Sequence, residues 1–173
     1  DGFMWNPPDN YFQRLVEDDV GDAPSNQDIY DVQGTYKEDR TYFRMSITGG
    51  CCDEGGFFGP WYLYGVGFFN LDSDSDVVYA MGYGDGGLGQ LTPGLLKLSG
   101  SLEDGLEGYE YLTTNVNYEK IGDFLYISCL NSYFVNDVDF GPWPSSFGNA
   151  LGITAVTVEA GLTEQEILDI TNP

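Results

Sequence analysis

The chain has 173 residues and a large excess of acid: 28 Asp and Glu against 6 Lys and Arg, with no His, for a formal net charge of −22. This charge argues against nucleic acid and anionic membranes as partners, because both are held by Lys and Arg. No apolar stretch approaches the ~20 residues that span a bilayer, and 16% aromatic residues is too many for a disordered acidic chain. One domain is the default at this length.

The predicted elements begin with an aromatic segment that has no periodicity. Residues 1–16 contain the turn signal Asn6-Pro7-Pro8, so we expect an N-terminal arm over 1–16 that contacts a neighbouring subunit, and a single sandwich domain over 17–173. An acidic loop over 17–27 comes next. Strands are then predicted at 28–36, 41–48, 61–71, 77–83, 95–98, 109–117, 124–130 and 151–159.

The fold class follows from the periodicity of these segments. Polar and apolar residues alternate along 41–48, which is typical of a half-buried strand. The segments 61–71 and 151–159 are apolar on both faces, and 61–71 predicts a buried central strand. Because no helical pattern lies between the strands, we expect an all-β, antiparallel two-sheet β-sandwich, jelly-roll-like or immunoglobulin-like. Thr163 and Glu166 fit a capping box that opens a short C-terminal helix through Asp169.

Three cysteines, Cys51, Cys52 and Cys129, leave several pairings open. A bridge from Cys51 or Cys52 to Cys129 would tie a glycine-rich loop to a late strand and stabilise the fold by about 4 kcal/mol. A bridge between the two neighbours and three reduced thiols are the alternatives. Zinc does not fit, because three thiols without His leave a closed site one ligand short.

Clustered aspartates are the candidate metal ligands. Their carboxylate oxygens suit calcium, and Gly21 would let the first loop fold tightly enough to add carbonyl ligands; the alternative is a solvated acidic loop. The second cluster is not an EF-hand, because Val77 stands where the loop glycine belongs. The predicted calcium ligands are Asp18, Asp19, Asp22, Asp28 and Asp31 in the first cluster and Asp72, Asp74 and Asp76 in the second.

Aromatic residues in loops are candidates for stacking against sugar rings. Trp143 lies between two prolines and is the better exposed candidate, with Tyr133 and Trp5 beside it in this interpretation. Catalysis finds little support: without His there is no Ser-His or Cys-His pair, and no phosphate-binding loop or dinucleotide fingerprint is present. We therefore expect a protein that is not an enzyme.

Two stretches resemble secreted sandwich modules of the family-9-type carbohydrate-binding and DOMON-like kind. The first runs from Asp19-Val20-Gly21-Asp22 through Asp28-Ile29 to the strand 41–47, and the second is the run 68–74 that ends in a Leu-Asp-x-Asp turn. The resemblance covers about residues 17–85. It implies a secreted sandwich, often bound to calcium, that recurs in polysaccharide-binding, surface-layer and filament proteins such as the calcium-dependent archaeal cannula subunits.

These observations lead to one functional expectation and one alternative. The chain begins at Asp1 without a start Met, so we expect an exported protein with a cleaved signal peptide, located outside the cell or at its surface. We expect a calcium-stabilised structural subunit that binds copies of itself in a filament, tube or surface layer. The arm would add a strand to the neighbour's sheet edge. The alternative is a secreted carbohydrate-binding module with polysaccharide as its partner.

Overall fold

The structure, a computed structural model, describes residues 12–37, 39–53, 55–56, 59–73, 77–84, 92–101, 105–141, 151–160 and 165–171. Eleven strands and one four-residue helix occur in this part of the chain, and none of its helices is long enough to cross a bilayer. They are β1 Gln13–Glu17, β2 Ile29–Lys37, β3 Arg40–Ile47, β4 Trp61–Asn70, β5 Val78–Gly84, β6 Gly94–Ser101, β7 Gly105–Thr113, β8 Asn117–Ile121, β9 Phe124–Leu130, α1 Ser132–Val135, β10 Leu151–Ala160 and β11 Gln165–Ile170.

The strands form two antiparallel sheets. One has five strands in the order β1-β2-β3-β9-β8, and the other has six in the order β11-β10-β4-β5-β6-β7. The long strand β4 lies in the interior of its sheet, between β10 and β5, as the apolar run 61–71 predicts. The prediction of an all-β, antiparallel two-sheet sandwich is therefore confirmed.

The core lies between the sheets and is rich in aromatic rings. Phe68 of β4 lies 5.5 Å from Phe43 of the opposite sheet and 5.1 Å from Phe134 of α1, measured between ring centroids. Phe140 closes this end, with its ring 5.0 Å from Phe134 and 5.4 Å from Tyr79. All five side chains are buried, so α1 and the loop after it act as a plug at one end of the sandwich.

The predicted C-terminal helix is wrong. Residues Gln165–Ile170 form strand β11, which pairs antiparallel with β10, Val156 opposite Ile170. Thr171 fixes the end of this strand, because its hydroxyl accepts a hydrogen bond from the Ala155 amide at 2.8 Å. A helix of six or seven residues is marginal by itself, whereas the free edge of β10 offers a full set of backbone partners. Thr163 of the proposed capping box lies outside the described residues.

The predicted N-terminal arm ends too late. Its last residues belong to β1, which pairs with β2 from Gln13 opposite Gly34 to Glu17 opposite Asp31. Val16 is buried in the core, and the Phe12 ring lies 6.2 Å from the ring of Tyr126 on β9. Residues 12–16 therefore pack on their own domain, while residues 1–11 lie outside the described part. A further boundary differs: the predicted strand 109–117 is divided between β7 and β8.

Candidate functional site

The first predicted calcium cluster lies in the turn that joins β1 to β2. Asp28 is 1% exposed, and one of its oxygens, Oδ2, accepts a hydrogen bond from the Gly21 amide at 2.9 Å. Asp18 is half-buried and its Oδ1 accepts a hydrogen bond from the Asp19 amide at 3.0 Å. Asp19 and Asp22 are exposed. The second oxygens of the first two carboxylates, Asp18 Oδ2 and Asp28 Oδ1, are inaccessible to solvent and have no hydrogen-bond partner.

Asp31, the fifth residue of this predicted cluster, belongs to a different network. Its carboxylate is almost fully buried and accepts hydrogen bonds from the hydroxyl of Ser46 and the side-chain amide of Gln33, the latter at 2.8 Å. Arg14 lies 3.3 Å from the same carboxylate. With both oxygens engaged by protein donors, Asp31 is a structural acid of the sheet rather than an open metal ligand.

Asp31 is part of a polar outer surface on the five-stranded sheet, which we call the polar face. A row of cross-strand partners runs over all five strands, and such partners share one face. Arg44 occupies its centre, where its guanidinium donates to the side-chain oxygen of Gln33 and lies 4.8 Å from the ring of Phe12 and 5.2 Å from that of Phe124. The polar face consists of Arg14, Asp31, Gln33, Arg44, Ser46, Phe124, Tyr126 and Glu119.

The structure describes one residue of the second predicted calcium cluster, Asp72. Asp74 and Asp76 lie outside the described residues. Asp72 is exposed, and its amide donates to the side-chain oxygen of Asn70 at 3.0 Å, closing a turn after β4. Within the described ranges, which include all five acids of the first cluster, no three Asp, Glu or Cys residues come together in a group that could hold a metal. An ion bound in the first cluster would therefore need backbone or water oxygens beside its carboxylates.

The predicted sugar-stacking residues do not form a platform in the described part of the chain. Trp5 and Trp143 lie outside it. Tyr133 is half-buried against the core, and its hydroxyl accepts a hydrogen bond from the side chain of Asn115 at 3.0 Å. The exposed aromatic pair is instead Tyr109 and Tyr111 on β7, which are 67% and 39% exposed and whose ring centroids lie 5.9 Å apart.

The structure separates the three cysteines into a neighbouring pair and a single thiol. The sulfurs of Cys51 and Cys52 lie side by side, and Cys129 is free and buried on β9. Burial raises the pKa of the Cys129 thiol to about 12, against a smaller opposing effect of Arg40, so the thiol stays protonated and unreactive. Of the pairings that the sequence leaves open, the one between Cys129 and the glycine-rich loop is not formed, because β9 directs the Cys129 side chain into the core.

A partly exposed group of charged side chains holds the plug at the end of the sandwich. Lys97 of β6 donates to Asp137 at 2.8 Å and to Asp139 at 2.6 Å, and the Tyr79 hydroxyl donates to Asp137 at 3.0 Å. The hydrogen bond to Asp137, followed by that to Asp139, raises the pKa of Lys97. Burial by itself would raise the pKa of Asp137, but the hydrogen bonds from Lys97, the Asp139 amide and Tyr79 outweigh it and lower that pKa.

The outer surface of the six-stranded sheet has the opposite character, and we call it the apolar face. Its cross-strand partners, from Val158 and Leu63 on one side to Leu98 and Tyr109 on the other, are uncharged. Among the described side chains of β4, β5, β6 and β10, no charged residue takes an outward position. The apolar face consists of Leu63, Phe69, Val78, Ala80, Leu96, Leu98, Tyr109, Tyr111, Thr154, Val156 and Val158.

Glycines flatten the middle of the apolar face. Gly65 of β4 is paired with Gly82 of β5 at its centre. A Cβ atom at Gly82 would lie only 3.3 Å from Cδ1 of Leu63 and 3.8 Å from Cδ1 of Leu96, so both leucines lean over the glycine backbone. The aliphatic side chains thus lie low against the sheet. The result is a broad, flat hydrocarbon surface rather than a groove.

Sequence reasoning missed both surfaces, although a signal for one of them was present. Strands β4 and β10 are apolar on both faces, and in a sandwich only one face of a strand can point into the core. The second apolar stripe of 61–70 and 151–160 therefore had to lie outside. The row that surrounds Arg44 could not be found in this way, because it depends on which strands become neighbours.

Comparison with protein-family models, with curated proteins and with solved structures finds no match for this chain. The function is therefore argued from the geometry of the two faces and of the acidic turn.

Proposed function

We propose that this protein is a non-enzymatic, extracellular structural subunit that binds copies of itself through the apolar face. The observation that carries the proposal is an uncharged hydrocarbon surface on a chain of net charge −22. Carboxylates repel carboxylates wherever two copies approach. The apolar face is the surface on which they can meet without bringing like charges together, so a second copy is the occupant that fits it.

The size of the apolar face agrees with a modest, reversible contact. Five strands at about 4.8 Å spacing and nine residues at about 3.3 Å each give it an area of roughly 700 Å². Two such faces would bury on the order of 1,400 Å², in the lower part of the range for a specific interface. Two flat sheet faces can also pack at about 10 Å, as the sheets of a sandwich do. A filament or surface layer gains strength from many such weak contacts.

The arm predicted to reach into a neighbour is not the basis of this proposal. Residues 12–17 are held by their own sheet, so strand donation by this part would require β1 to leave β2. Contact through a complete sheet face needs no such rearrangement, which makes it the simpler route to assembly.

The test is a charge placed on each face in turn. Leu96→Lys puts an ammonium group in the middle of the apolar face, and we expect it to weaken self-association at least tenfold, about 1.4 kcal/mol. Ile121→Lys is the matched control: Ile121 is 50% exposed on β8 of the other sheet, and its replacement should leave association unchanged. Sedimentation equilibrium over a concentration series measures both, with thermal unfolding to verify folding.

Three outcomes decide between the proposal and its rival. A wild-type chain that stays monomeric at millimolar concentration contradicts self-association. An equal loss of self-association in Leu96→Lys and Ile121→Lys would show that the contact does not lie on the apolar face. The carbohydrate-binding alternative is favoured by the exposed pair Tyr109 and Tyr111; it gains if a monomeric wild type is retained on polysaccharide and Tyr109→Ala is not.

A further inference from the structure

The turn between β1 and β2 contains two carboxylate oxygens that nothing in the described protein satisfies. Asp28 is 1% exposed and its Oδ1 has no hydrogen-bond partner; Asp18 Oδ2 is equally inaccessible and equally without one. An ionised carboxylate that has lost water and gained no partner is strongly destabilising. Two such oxygens in one turn, on residues ten apart, call for a common explanation.

No described basic side chain supplies the missing charge. The ion pairs between described side chains join Arg14 to Glu17 and Asp31, and Lys97 to Asp137 and Asp139; none of these reaches Asp18 or Asp28 within the 4.0 Å of an ion pair. A cation from solution would supply the missing positive charge and the missing partner together.

We propose that calcium binds in this turn, with Asp28 Oδ1 and Asp18 Oδ2 as its carboxylate ligands. Calcium takes six to eight oxygen ligands in flexible geometry, so two carboxylates can be completed by backbone carbonyls and water. The turn is open beside Gly21, which has φ of 97° and where a Cβ atom would meet nothing within 4 Å. Exposed Asp19 and Asp22 lie in the same turn and add negative charge around the ion.

The bound ion would fasten the edge strand to the body of the sandwich. The Asp18 amide already donates to the Tyr30 carbonyl at 3.0 Å, which continues the β1–β2 ladder into the turn. At the other end of the turn, the Gln27 carbonyl accepts from the Thr157 hydroxyl of β10 at 2.8 Å, and the Gln27 side chain donates to Asp53 at 2.6 Å. An ion held by Asp18 and Asp28 therefore links β1 to both sheets. This role is independent of self-association.

The experiment compares melting temperatures of the full chain in calcium and in chelator. We expect calcium to raise the midpoint of the wild type, because an ion that binds only the folded state stabilises it. Asp28→Asn should abolish this response and lower the calcium affinity at least tenfold by calorimetric titration. Asp123→Asn removes an exposed charge from the β8–β9 turn and is the matched control, with an unchanged response.

The sharpest result would be a reversal in the order of stability of the wild type and Asp28→Asn between the two buffers. In chelator, Asp28→Asn should be at least as stable as the wild type, since it removes an unsatisfied buried charge; in calcium, the wild type should be the more stable. If Asp28→Asn fails to fold, Asp18→Asn provides the same comparison. A wild type whose melting is the same in calcium and in chelator overturns the proposal. An equal response to magnesium overturns the assignment to calcium.

Discussion

The two outer faces of this sandwich use the same strand geometry for opposite purposes. On the polar face, buried and half-buried polar groups bind one another: Asp31 is 2% exposed and Ser46 is 1% exposed, and both lie in one network with Arg14. On the apolar face, half-buried aliphatic side chains lie over glycine and bind no polar group. The polar face is closed by its own contacts, including the Phe12 ring over Arg44, whereas the described side chains of β4, β5, β6 and β10 bring no charge to the apolar face.

This contrast shows how a strongly acidic chain can fold and still associate. Two of the six basic residues lie on the polar face: Arg14 pairs with the Asp31 carboxylate, and Arg44 donates to the side-chain oxygen of Gln33. None takes an outward position on β4, β5, β6 or β10. Charge is thus concentrated where it stabilises the subunit and is absent where subunits would meet.

The largest expected effect comes from breaking the polar face. Asp31→Ala leaves the donors on Ser46, Gln33 and Arg14 without their acceptor, and we expect a loss of about 3 kcal/mol in the free energy of unfolding. Asp31→Asn keeps one acceptor oxygen and should lose less. Val158→Ala on the apolar face removes only half-buried hydrocarbon and should cost under about 1 kcal/mol. Urea denaturation of the three variants ranks them, and a Val158→Ala loss as large as that of Asp31→Ala would contradict the contrast.

A smaller effect concerns the salt dependence of association. Raising the ionic strength from about 0.01 M to about 0.15 M shortens the Debye length from about 30 Å to about 8 Å. Copies that carry −22 each and meet through an uncharged surface should then associate several-fold more tightly, because screening removes repulsion and no attractive pair. Light scattering across a sodium chloride series measures this. Weaker association at higher salt would place the contact on a charged surface instead.

The smallest expected effect concerns the plug at the end of the sandwich rather than either face. The pKa of Asp137 is lowered in the folded state, so its contribution is present above the unfolded value of 3.8 and is lost as the pH falls below it. Because Lys97 and Asp137 are partly exposed, we expect at most about 1 kcal/mol. Between about pH 6 and about pH 3, the melting temperature of Asp137→Asn should therefore fall less than that of the wild type. The exposed Asp72→Asn is the control and should behave as the wild type.

Much of the fold could be predicted because strand periodicity is local. The alternation in 41–48 places Phe43 and Met45 in the core, where they are found. The C-terminal helix could not be rejected in this way, since Gln165–Ile170 has no strong preference of its own and becomes a strand only because β10 has an open edge. The same limit applies to Cys129, whose pairing depended on the side of β9 that faces the core.

Calcium binding by the first acidic cluster stays a prediction. Asp18 and Asp28 are among the ligands that the sequence proposes, and the structure leaves one oxygen of each without a hydrogen-bond partner. Asp31 was grouped with them because it is near in sequence, but along a strand the side chain reverses direction at each residue and a bulge intervenes between Ile29 and Asp31. Spacing in sequence therefore could not show that Asp31 faces Ser46 and Arg14.

By itself the sequence determined composition, charge and the alternation along each strand, and these specify an acidic, all-β chain with more apolar surface than one core can hold. Only the tertiary structure decided which strands became neighbours. That choice places Arg44 between Gln33 and Tyr126, and pairs Gly65 with Gly82 beneath two leucines. The physical reason is that a strand leaves half of its side chains and all of its ladder hydrogen bonds to be satisfied by segments distant in sequence.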